Sequence, residues 1–450
     1  MNRRDFIAAG MAGVVAPRFA RLSAVARPRP SAAQLEWQRD ELAMFLHFGV
    51  NTFTDREWGD GKEDPAIFNP ESLDARQWAR TARTAGFRAL ILTAKHHDGF
   101  CLWPTATTQH SVAKSPWRGG QGDVVRELVD ACNAESLKVG LYLSPWDRNA
   151  SVYGDSPRYN DFYIEQLTEL LTRYGTIAEV WFDGANGEGP NGRRQTYDWE
   201  RIWGTVRRLQ PNAVMFSDAG PDVRWIGNER GVAGTTNWST VDPAVVQFPG
   251  ASGDAVMKML QQGDPSGSVW RPGETDVSIR PGWFYHPAED AHVRSGDDLV
   301  GLYFTSVGRN SKLLLNVPPT REGLIHHVDA GRLTIMRARL SAMFAIDIAA
   351  SAPAVWQTRG DRQATLELDL GTPKTIAVAD LSEDVRLGQI VAQYMLEGER
   401  DGAWLKLSEG TTIGFRKLDR FDPVAVRRVR LTIADAVDTP RPVRIGLFAG

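Results

Sequence analysis

Residues 89–98 read Ala-Leu-Ile-Leu-Thr-Ala-Lys-His-His-Asp, a run of mostly apolar residues that ends in polar, chemically versatile ones. Ala89–Thr93 is short and nearly continuously apolar, which is the pattern of a parallel strand covered on both faces. The polar residues 95–98 follow at the point where such a strand ends. The stretch therefore predicts a buried parallel strand with functional groups at its carboxyl end.

The same pattern recurs from residue 31 to residue 346. Seven further strands are predicted there: Ala43–His47, Val139–Leu143, Ala178–Phe182, Ala213–Ser217, Gly234–Trp238, Val277–Phe284 and Lys312–Asn316. Helical patterns lie between most of them: Ser72–Ala85, Asp123–Ser136, Asn160–Tyr174, Tyr197–Leu209 and a final Asp329–Phe344. The stretch Val241–Gly273 is rich in Gly and Pro and is expected to replace a helix with loops. This order predicts an α/β fold in which residues 31–346 form a (β/α)8-type barrel, the catalytic domain.

The pattern changes after Ala350. Ala364–Leu370 alternates apolar and polar residues with a period of two. Short strand-like runs follow it at close spacing: Ile376–Ala379, Ile390–Leu396, Trp404–Leu407, Arg428–Ile433 and Val443–Phe448. This is typical of antiparallel sheets with one face on a core. Residues 350–450 are therefore predicted to form a C-terminal antiparallel β-sandwich, whose expected role is to buttress the barrel.

The first 30 residues carry a different signal. Arg3 and Arg4 precede Asp5-Phe6-Ile7, and an apolar stretch of small residues runs on to Ala16. The stretch is too short for an ordinary membrane-spanning helix, and it resembles a twin-arginine export signal. Residues 1–30 are therefore expected to be an export signal and linker, with Ala24–Ala26 as the cleavage site. The expected location of the protein is the periplasm or the medium.

The overall charge argues against several classes of partner. The formal net charge is -3 and the isoelectric point is about 6.3, so no basic surface for nucleic acid or an anionic membrane is expected. Cys101 and Cys132 are the only cysteines and can pair at most once, which excludes a disulfide scaffold. A neutral or small polar substrate fits this composition better, and the oligomeric state is left open.

Function in a barrel gathers where the strands end, because the loops there build the pocket. That rule selects polar and aromatic residues at seven predicted strand ends: His47 with Glu57 and Trp58, His96 and His97, Trp146 with Asp147, Asp183, Asp218, Trp238, and Trp283 with His286. Four of the eight histidines in the chain fall in this set. Their convergence on one rim predicts a polar pocket.

The pocket could in principle bind a metal, because histidine and carboxylate are metal ligands. The adjacent pair His96 and His97, however, is expected to point to opposite sides of the strand. The first strand also has no His-x-His pair, the usual start of a metal-dependent hydrolase barrel. No metal and no other cofactor is therefore expected, and a metal-dependent hydrolase is kept as an alternative.

The carboxylates favour glycoside hydrolysis, which uses one ionised and one protonated carboxyl on either side of the scissile bond. Asp183 ends an apolar strand that would hold it rigidly; a role as a helix cap is the alternative. Spacing alone does not select its partner. The candidates on the rim loops are Glu57, Asp98, Glu188, Asp218 and Glu229.

The order of these motifs is similar to that in the retaining α-L-fucosidases of glycoside hydrolase family 29. The resemblance covers nearly the whole chain after the export signal, and any single motif would be weak. The motifs that carry it are Met44–Gly49, Asn51–Gly59, Lys95–Phe100, Tyr142–Asn149, Trp181–Gly184 and Trp225–Glu229. Their placement on successive predicted strand ends makes the resemblance specific.

The resemblance implies a role for each matched residue. Asp183 would be the nucleophile and Glu229 the acid/base. The residues expected to contact the sugar are His47, Glu57, Trp58, His96 and His97, with Trp146 and Trp283 as aromatic rim positions. Ser144–Asn149 and Trp225–Glu229 resemble the subgroup that prefers α-1,3 and α-1,4 linkages. The implied activity is exo-acting removal of terminal L-fucose from a fucosylated oligosaccharide or glycoconjugate with retention of configuration. A non-catalytic glycan-binding protein on the same fold is the second alternative.

Overall fold

The computed structural model describes residues 27–450, so the expected export signal lies almost wholly outside the described residues. Its helices are α1 Ala32–Asp40, α2 Val50–Thr54, α3 Ala75–Ala85, α4 Val124–Ala134, α5 Ser156–Arg173, α6 Trp199–Leu209, α7 Asp254–Gln262, α8 Gly296–Thr305 and α9 His327–Met343. Its first strands are β1 Leu42–Leu46, β2 Ala89–Lys95, β3 Lys138–Leu143, β4 Glu179–Trp181, β5 Val214–Ser217, β6 Val223–Trp225, β7 Thr240–Val241, β8 Val269–Trp270, β9 Gly273–Ser278 and β10 Ser311–Asn316. The C-terminal strands are β11 Ala354–Arg359, β12 Gln363–Ser382, β13 Val391–Arg400, β14 Ala403–Gly410, β15 Lys417–Ala436 and β16 Arg444–Phe448.

Eight parallel strands close into one barrel in the order β1-β2-β3-β4-β5-β6-β9-β10. The barrel closes because β1 pairs with β2 on one side and with β10 on the other, where Leu42 lies opposite Leu313. The five predicted helices are all present, each within a few residues of its expected bounds. The predicted (β/α)8-type barrel is thereby confirmed.

Two barrel strands differ from the prediction. The sixth is Val223–Trp225, not Gly234–Trp238, and the seventh is Gly273–Ser278, not Val277–Phe284. The sixth has only three residues and the seventh reads Gly-Glu-Thr-Asp-Val-Ser, so neither shows an apolar run. In the seventh strand, Glu274 Oε1 and Asp276 Oδ1 accept hydrogen bonds from Trp181 and Trp225 inside the barrel. The stretch Val241–Gly273 was expected to be loops alone, but it contains helix α7.

The inside of the barrel holds a small apolar cluster above a buried ion pair. The ring of Trp181 stacks on that of Phe216 with centroids 4.1 Å apart, and its Nε1 donates to Glu274 Oε1 at 3.0 Å. Lys312 Nζ lies 3.2 Å from Glu179 Oε2, and both side chains are buried. Removing either partner of a buried pair leaves an uncompensated charge, which costs about 3–5 kcal/mol. Helix α1 packs against the strand starts, which closes this end of the barrel.

The C-terminal strands form the predicted antiparallel β domain. The long strands β12 and β15 pair along most of their length, and their register shifts between Asp369 and Lys374. Before the shift β12 also pairs with β11, and after it with β16. One apolar core includes residues from both halves, for example Leu366 and Leu381. Two bent strands therefore supply both layers of the sandwich.

The sandwich contacts the barrel through polar and ionic groups. Arg416 lies 2.7 Å from Glu41 of the barrel domain and 3.0 Å from Asp380 of the sandwich. The buried side chain of Gln389 accepts from Ser239 N at 2.7 Å and donates to Asn237 O at 3.1 Å. These bonds fix the barrel segment around residues 237–239. In residues 27–450, no helix combines the length and apolar character needed to cross a membrane.

Candidate active site

A cavity of about 350 Å³ lies at the carboxyl ends of the barrel strands. Twelve side chains line it: Phe45, His47, Trp58, His96, His97, Tyr142, Trp181, Asp183, Ala185, Glu229, Asp276 and Trp283. All the predicted site residues except Glu57 and Trp146 are in this wall. Its size is near the lower end of the range for small-molecule sites, which suits a single sugar unit.

Asp183 follows strand β4 and is held by two hydrogen bonds. Tyr142 donates its hydroxyl to Asp183 Oδ2 at 3.1 Å, and the backbone N–H of Ala185 donates to Oδ1 at 2.7 Å. The carboxylate is partly exposed to the cavity, and His97 Nε2 lies 3.9 Å from Oδ2. Asp183 is thus a rigidly placed carboxylate with access to a bound molecule.

Gly184, the residue after Asp183, is packed too tightly for any side chain. A Cβ at this position would lie 2.9 Å from the amide nitrogen of Gly250 and would overlap the carboxylate of Asp218. Gly250 N also donates to Asp218 Oδ2 at 2.8 Å. The glycine therefore lets the ends of β4 and β5 and the loop around Gly250 meet directly behind Asp183.

Glu229 lies on the loop that follows strand β6. Gly227 has a φ of +84°, a conformation that favours glycine, and Asn228 Oδ1 accepts from Arg230 N at 3.1 Å. These two residues turn the chain so that Glu229 reaches the cavity. Partial removal of water from the carboxyl and the negative charge of Asp183 raise the pKa of Glu229, although the side chain stays exposed at the mouth.

The hydrogen bonds behind two cavity histidines determine which ring nitrogen carries the proton. Ser144 donates its hydroxyl hydrogen to Trp146 O, so it accepts from Nδ1–H of His97 at 2.7 Å. His47 Nδ1 likewise donates to Asn316 Oδ1 at 2.9 Å, because the Asn316 amide nitrogen donates to Trp283 O. The Nε2 atom of each ring is thereby left as a hydrogen-bond acceptor.

Burial also keeps these histidines uncharged. It lowers the pKa of His47 to about 3, and it lowers the pKa values of His96 and His97 as well. Neutral rings that present acceptor nitrogens suit the recognition of sugar hydroxyl groups. They do not supply positive charge to the cavity.

The expectation that His96 and His97 point to opposite sides is wrong. Both line the cavity, and their ring centroids are 4.1 Å apart. Strand β2 ends at Lys95, and its pairing with β3 shifts register between Thr93 and Lys95. The regular alternation of a strand therefore stops before the two histidines.

Glu57 is placed behind the wall, not in it. Its carboxylate accepts from the backbone N–H groups of Trp283 and Phe284 at 2.8 and 3.1 Å. It also lies 2.6 Å from His286 Nε2. In this arrangement Glu57 positions the segment that carries Trp283.

Trp146 supports the mouth of the cavity from outside the wall. Its ring packs on His97 with centroids 4.9 Å apart and on Trp58 at 5.7 Å. Trp58 is 57% exposed, so its ring is free to contact a ligand. The next residue, Asp147, forms a buried ion pair with Lys95 at 2.9 Å, which ties the ends of β2 and β3 together.

Comparison with known proteins identifies the family. The sequence model of the α-L-fucosidase family matches residues 27–342, about two thirds of the chain. α-L-Fucosidase 1 of Arabidopsis thaliana is 42% identical over 94% of this chain and 87% of its own length. The chain belongs to the α-L-fucosidases, glycoside hydrolase family 29. It is therefore a glycoside hydrolase with α-L-fucosidase activity and a fucosylated glycan as substrate.

Solved structures of family members share its fold. A family 29 glycoside hydrolase from an unknown rumen bacterium is 43% identical, with a TM-score of 0.86 over 94% of this chain and 77% of that one. A Ruminococcus gnavus family 29 fucosidase in complex with fucose is 31% identical, with a TM-score of 0.85 over 94% of this chain and 95% of that one. Both comparisons span the barrel and the C-terminal domain.

The other candidate carboxylates are bonded to protein groups away from the cavity. Asp98 is buried and accepts from Asn51 and from Phe100 N, and burial raises its pKa to about 7. Asp218 is bonded to Gly250 N, and Glu188 is exposed on a separate hairpin. Within residues 27–450, no group of three His, Cys, Asp or Glu side chains is arranged to hold a metal ion.

Five wall residues were not predicted from the sequence: Phe45, Tyr142, Trp181, Ala185 and Asp276. The alternation of side chains along a strand could have identified three of them, because residues two apart on a strand share a face. Phe45 precedes His47 by two residues, Trp181 precedes Asp183 by two, and Tyr142 precedes Ser144 by two. Asp276 was missed because the seventh strand was placed after it.

The packing behind Asp183 predicts that Gly184→Ala impairs catalysis without unfolding the protein. The added methyl group must displace the Asp218 carboxylate or Asp183. If Asp183 is the nucleophile, as the sequence predicts, a small misplacement of it should lower kcat about 10- to 100-fold. The measurement is kcat on an aryl fucoside together with the thermal unfolding midpoint. Gly204→Ala in helix α6 is the matched control, because a Cβ there meets nothing within 4 Å. It should leave kcat unchanged, and wild-type turnover by Gly184→Ala would contradict this account.

Proposed function

We propose that the protein is an exo-acting, retaining α-L-fucosidase that removes terminal α-1,3- or α-1,4-linked L-fucose from glycans. The observation that carries the proposal is that Asp183 and Glu229 line the same cavity with three neutral histidines. A cavity with room for one sugar unit suits removal of a terminal residue. The Ruminococcus gnavus relative, solved in complex with fucose, supports L-fucose as that sugar.

The two carboxyl groups have surroundings that suit different roles. Asp183 accepts hydrogen bonds from Tyr142 and from Ala185 N, which fix the direction of its carboxylate. Glu229 has a raised pKa and sits at the mouth, where a leaving group would depart. One carboxyl is thus ready to act as a nucleophile and the other as an acid.

The proposed reaction has two steps. In the first, Asp183 attacks the anomeric carbon while Glu229 transfers its proton to the glycosidic oxygen, and the rest of the glycan leaves as an alcohol. In the second, Glu229 takes a proton from water, and the hydroxide formed breaks the bond between the sugar and Asp183. Two inversions restore the original α configuration of the released fucose.

The remaining wall residues bind the sugar in this proposal. The acceptor Nε2 atoms of His47 and His97 take hydrogen bonds from its hydroxyl groups. The rings of Trp58 and Trp283 pack on its apolar surfaces. Contacts that tighten as positive charge develops at the anomeric carbon would lower the barrier.

Two variants separate the roles of Asp183 and Glu229. Asp183→Gly should lower kcat by several orders of magnitude on every substrate, with azide restoring part of it and yielding β-fucosyl azide. Glu229→Ala should lose about 100- to 10,000-fold on natural glycans and far less on aryl fucosides with good leaving groups. Azide should trap the fucosyl-enzyme of the second variant as α-fucosyl azide. NMR spectroscopy of the products identifies the anomer.

Glu188→Ala is the control for Glu229→Ala. Glu188 lies outside the cavity wall, so its removal should leave kcat unchanged on both substrate classes. If Glu229→Ala loses the same factor in kcat on natural glycans and on aryl fucosides, another residue is the acid. Hydrolysis of fucosides by Asp183→Gly at the wild-type rate would exclude Asp183 as the nucleophile. Absence of turnover by the wild-type protein on any fucoside would favour the non-catalytic binder, and loss of activity on chelation would favour the metal-dependent hydrolase.

The linkage preference rests on the resemblance of Ser144–Asn149 and Trp225–Glu229 to one subgroup. We expect efficient release of fucose from α-1,3- and α-1,4-fucosylated oligosaccharides that carry a neighbouring galactose. Removing that galactose should lower kcat/KM, because the subgroup acts on branched forms. Initial rates on a panel of defined oligosaccharides measure this, and a preference for α-1,2 linkages would refute it.

Export to the periplasm or the medium is proposed from the sequence of residues 1–30 alone. The twin-arginine pathway carries folded proteins, so changing Arg3 and Arg4 to lysine should retain active enzyme in the cytoplasm. Cell fractionation with an activity assay measures the distribution. An unchanged periplasmic fraction in the double variant would argue against this pathway.

A further inference from the structure

Asp276 is a third carboxyl in the cavity wall, and the reaction described above does not use it. It lies on β9 and is 3% exposed. Its Oδ1 accepts from Trp225 Nε1 at 2.8 Å. Its Oδ2 has no hydrogen-bond partner among residues 27–450, although the side chain faces the cavity. This oxygen is therefore open to a hydrogen bond with a ligand or water in the cavity.

We propose that Asp276 binds the fucosyl unit as a neutral carboxylic acid, donating a hydrogen bond from Oδ2 to a sugar hydroxyl oxygen. The proposal rests on the proposed function, because it places Asp276 in the sugar site of that reaction. Trp225 fixes the orientation of the acid by occupying Oδ1. The protonated oxygen is then the one that faces the sugar.

The charges around Asp276 favour its neutral form. The other titratable groups of the wall are Asp183, Glu229, Tyr142, His47, His96 and His97. Burial keeps the histidines uncharged, and it raises the pKa of Tyr142, so this hydroxyl is uncharged as well. The wall contains no lysine or arginine. Burial raises the pKa of Asp276 well above its usual range, and the carboxyl groups of Glu229 and Asp183 raise it further. Ionising Asp276 would place another negative charge in a cavity without positive charge.

The hydrogen-bonding needs of a sugar point to the same state. A hydroxyl group donates one hydrogen bond and accepts up to two. The acceptors in the wall include Nε2 of His47 and of His97, while the hydroxyl of Tyr142 is already donated to Asp183. A hydroxyl that donates to a histidine can also accept a hydrogen bond, and a protonated Asp276 would donate one to it.

The test compares Asp276→Asn with Asp276→Ala. Asparagine keeps an oxygen for Trp225 and an N–H donor for the sugar, so its kcat/KM should stay within about threefold of wild type. Alanine removes the donor, so kcat/KM should fall about 10- to 100-fold, equally on aryl fucosides and natural glycans. Trp225→Phe removes only the bond to Oδ1 and should lose less than Asp276→Ala. Unfolding midpoints show whether each variant is folded.

The pH dependence of kcat/KM gives an independent measurement of the charge of Asp276. If Asp276 is neutral, Asp276→Asn exchanges one neutral group for another, so the alkaline limb of kcat/KM should not move. If Asp276 is ionised, the exchange removes a negative charge near Glu229. The pKa of Glu229 would then fall, and the alkaline limb would shift to lower pH by about one unit. Such a shift would overturn the proposal.

Further outcomes distinguish a neutral Asp276 that donates to the sugar from an ionised Asp276 and from an Asp276 that acts as the catalytic acid. If Asp276→Asn is as impaired as Asp276→Ala on both substrate classes, the residue acts as an anion, and the neutral donor is excluded. A loss confined to natural glycans would identify Asp276 as the acid instead of Glu229. If the wild-type protein releases no fucose from either substrate class, the proposed function fails, and this outcome does not depend on the variants.

Discussion

The site depends on the closure of eight parallel strands into one barrel. Because β1 pairs with β10 as well as β2, all eight carboxyl ends meet on one rim. Residues two apart on a strand then share the inner face. Trp181 and Asp183 are such a pair: Trp181 stacks on Phe216 inside the barrel, and Asp183 projects into the cavity above. The apolar interior thus fixes the direction of the reacting carboxylate.

Burial controls the charge of the cavity as strongly as the choice of residues does. Three histidines line it, yet removal of water keeps them neutral, so they suit hydroxyl groups better than anions. The same effect raises the pKa values of Glu229 and Asp276. A site built of acids and neutral rings is suited to a neutral sugar and to the positive charge that develops during glycosidic cleavage.

Sequence alone predicts best where the local pattern and the final environment agree. The first five barrel strands are apolar and buried on both faces, and their predicted positions are confirmed. Strand β9 could not be found in this way because it carries Glu274 and Asp276, which accept hydrogen bonds from Trp181 and Trp225 of other barrel strands, so it shows no apolar run. The placement of His96 and His97 depends on a register shift in β2, which no periodic pattern contains. The sequence predicts that Glu57 contacts the sugar, and this stays a prediction; its bonds to the backbone of Trp283 and Phe284, more than 200 residues away, could not be predicted from a local pattern.

The two reacting carboxyl groups differ in how the fold holds them, and this agrees with their proposed tasks. Asp183 must meet one carbon atom from one direction, and it is fixed by a strand, two hydrogen bonds and a glycine that admits no side chain. Glu229 must reach an oxygen that leaves with groups of varying size, and it lies on an exposed loop at the mouth. The chain a few residues after this loop is bonded to the sandwich through Gln389. The C-terminal domain therefore supports the chain segment that follows Glu229, the proposed acid, which the barrel strands hold less directly than Asp183.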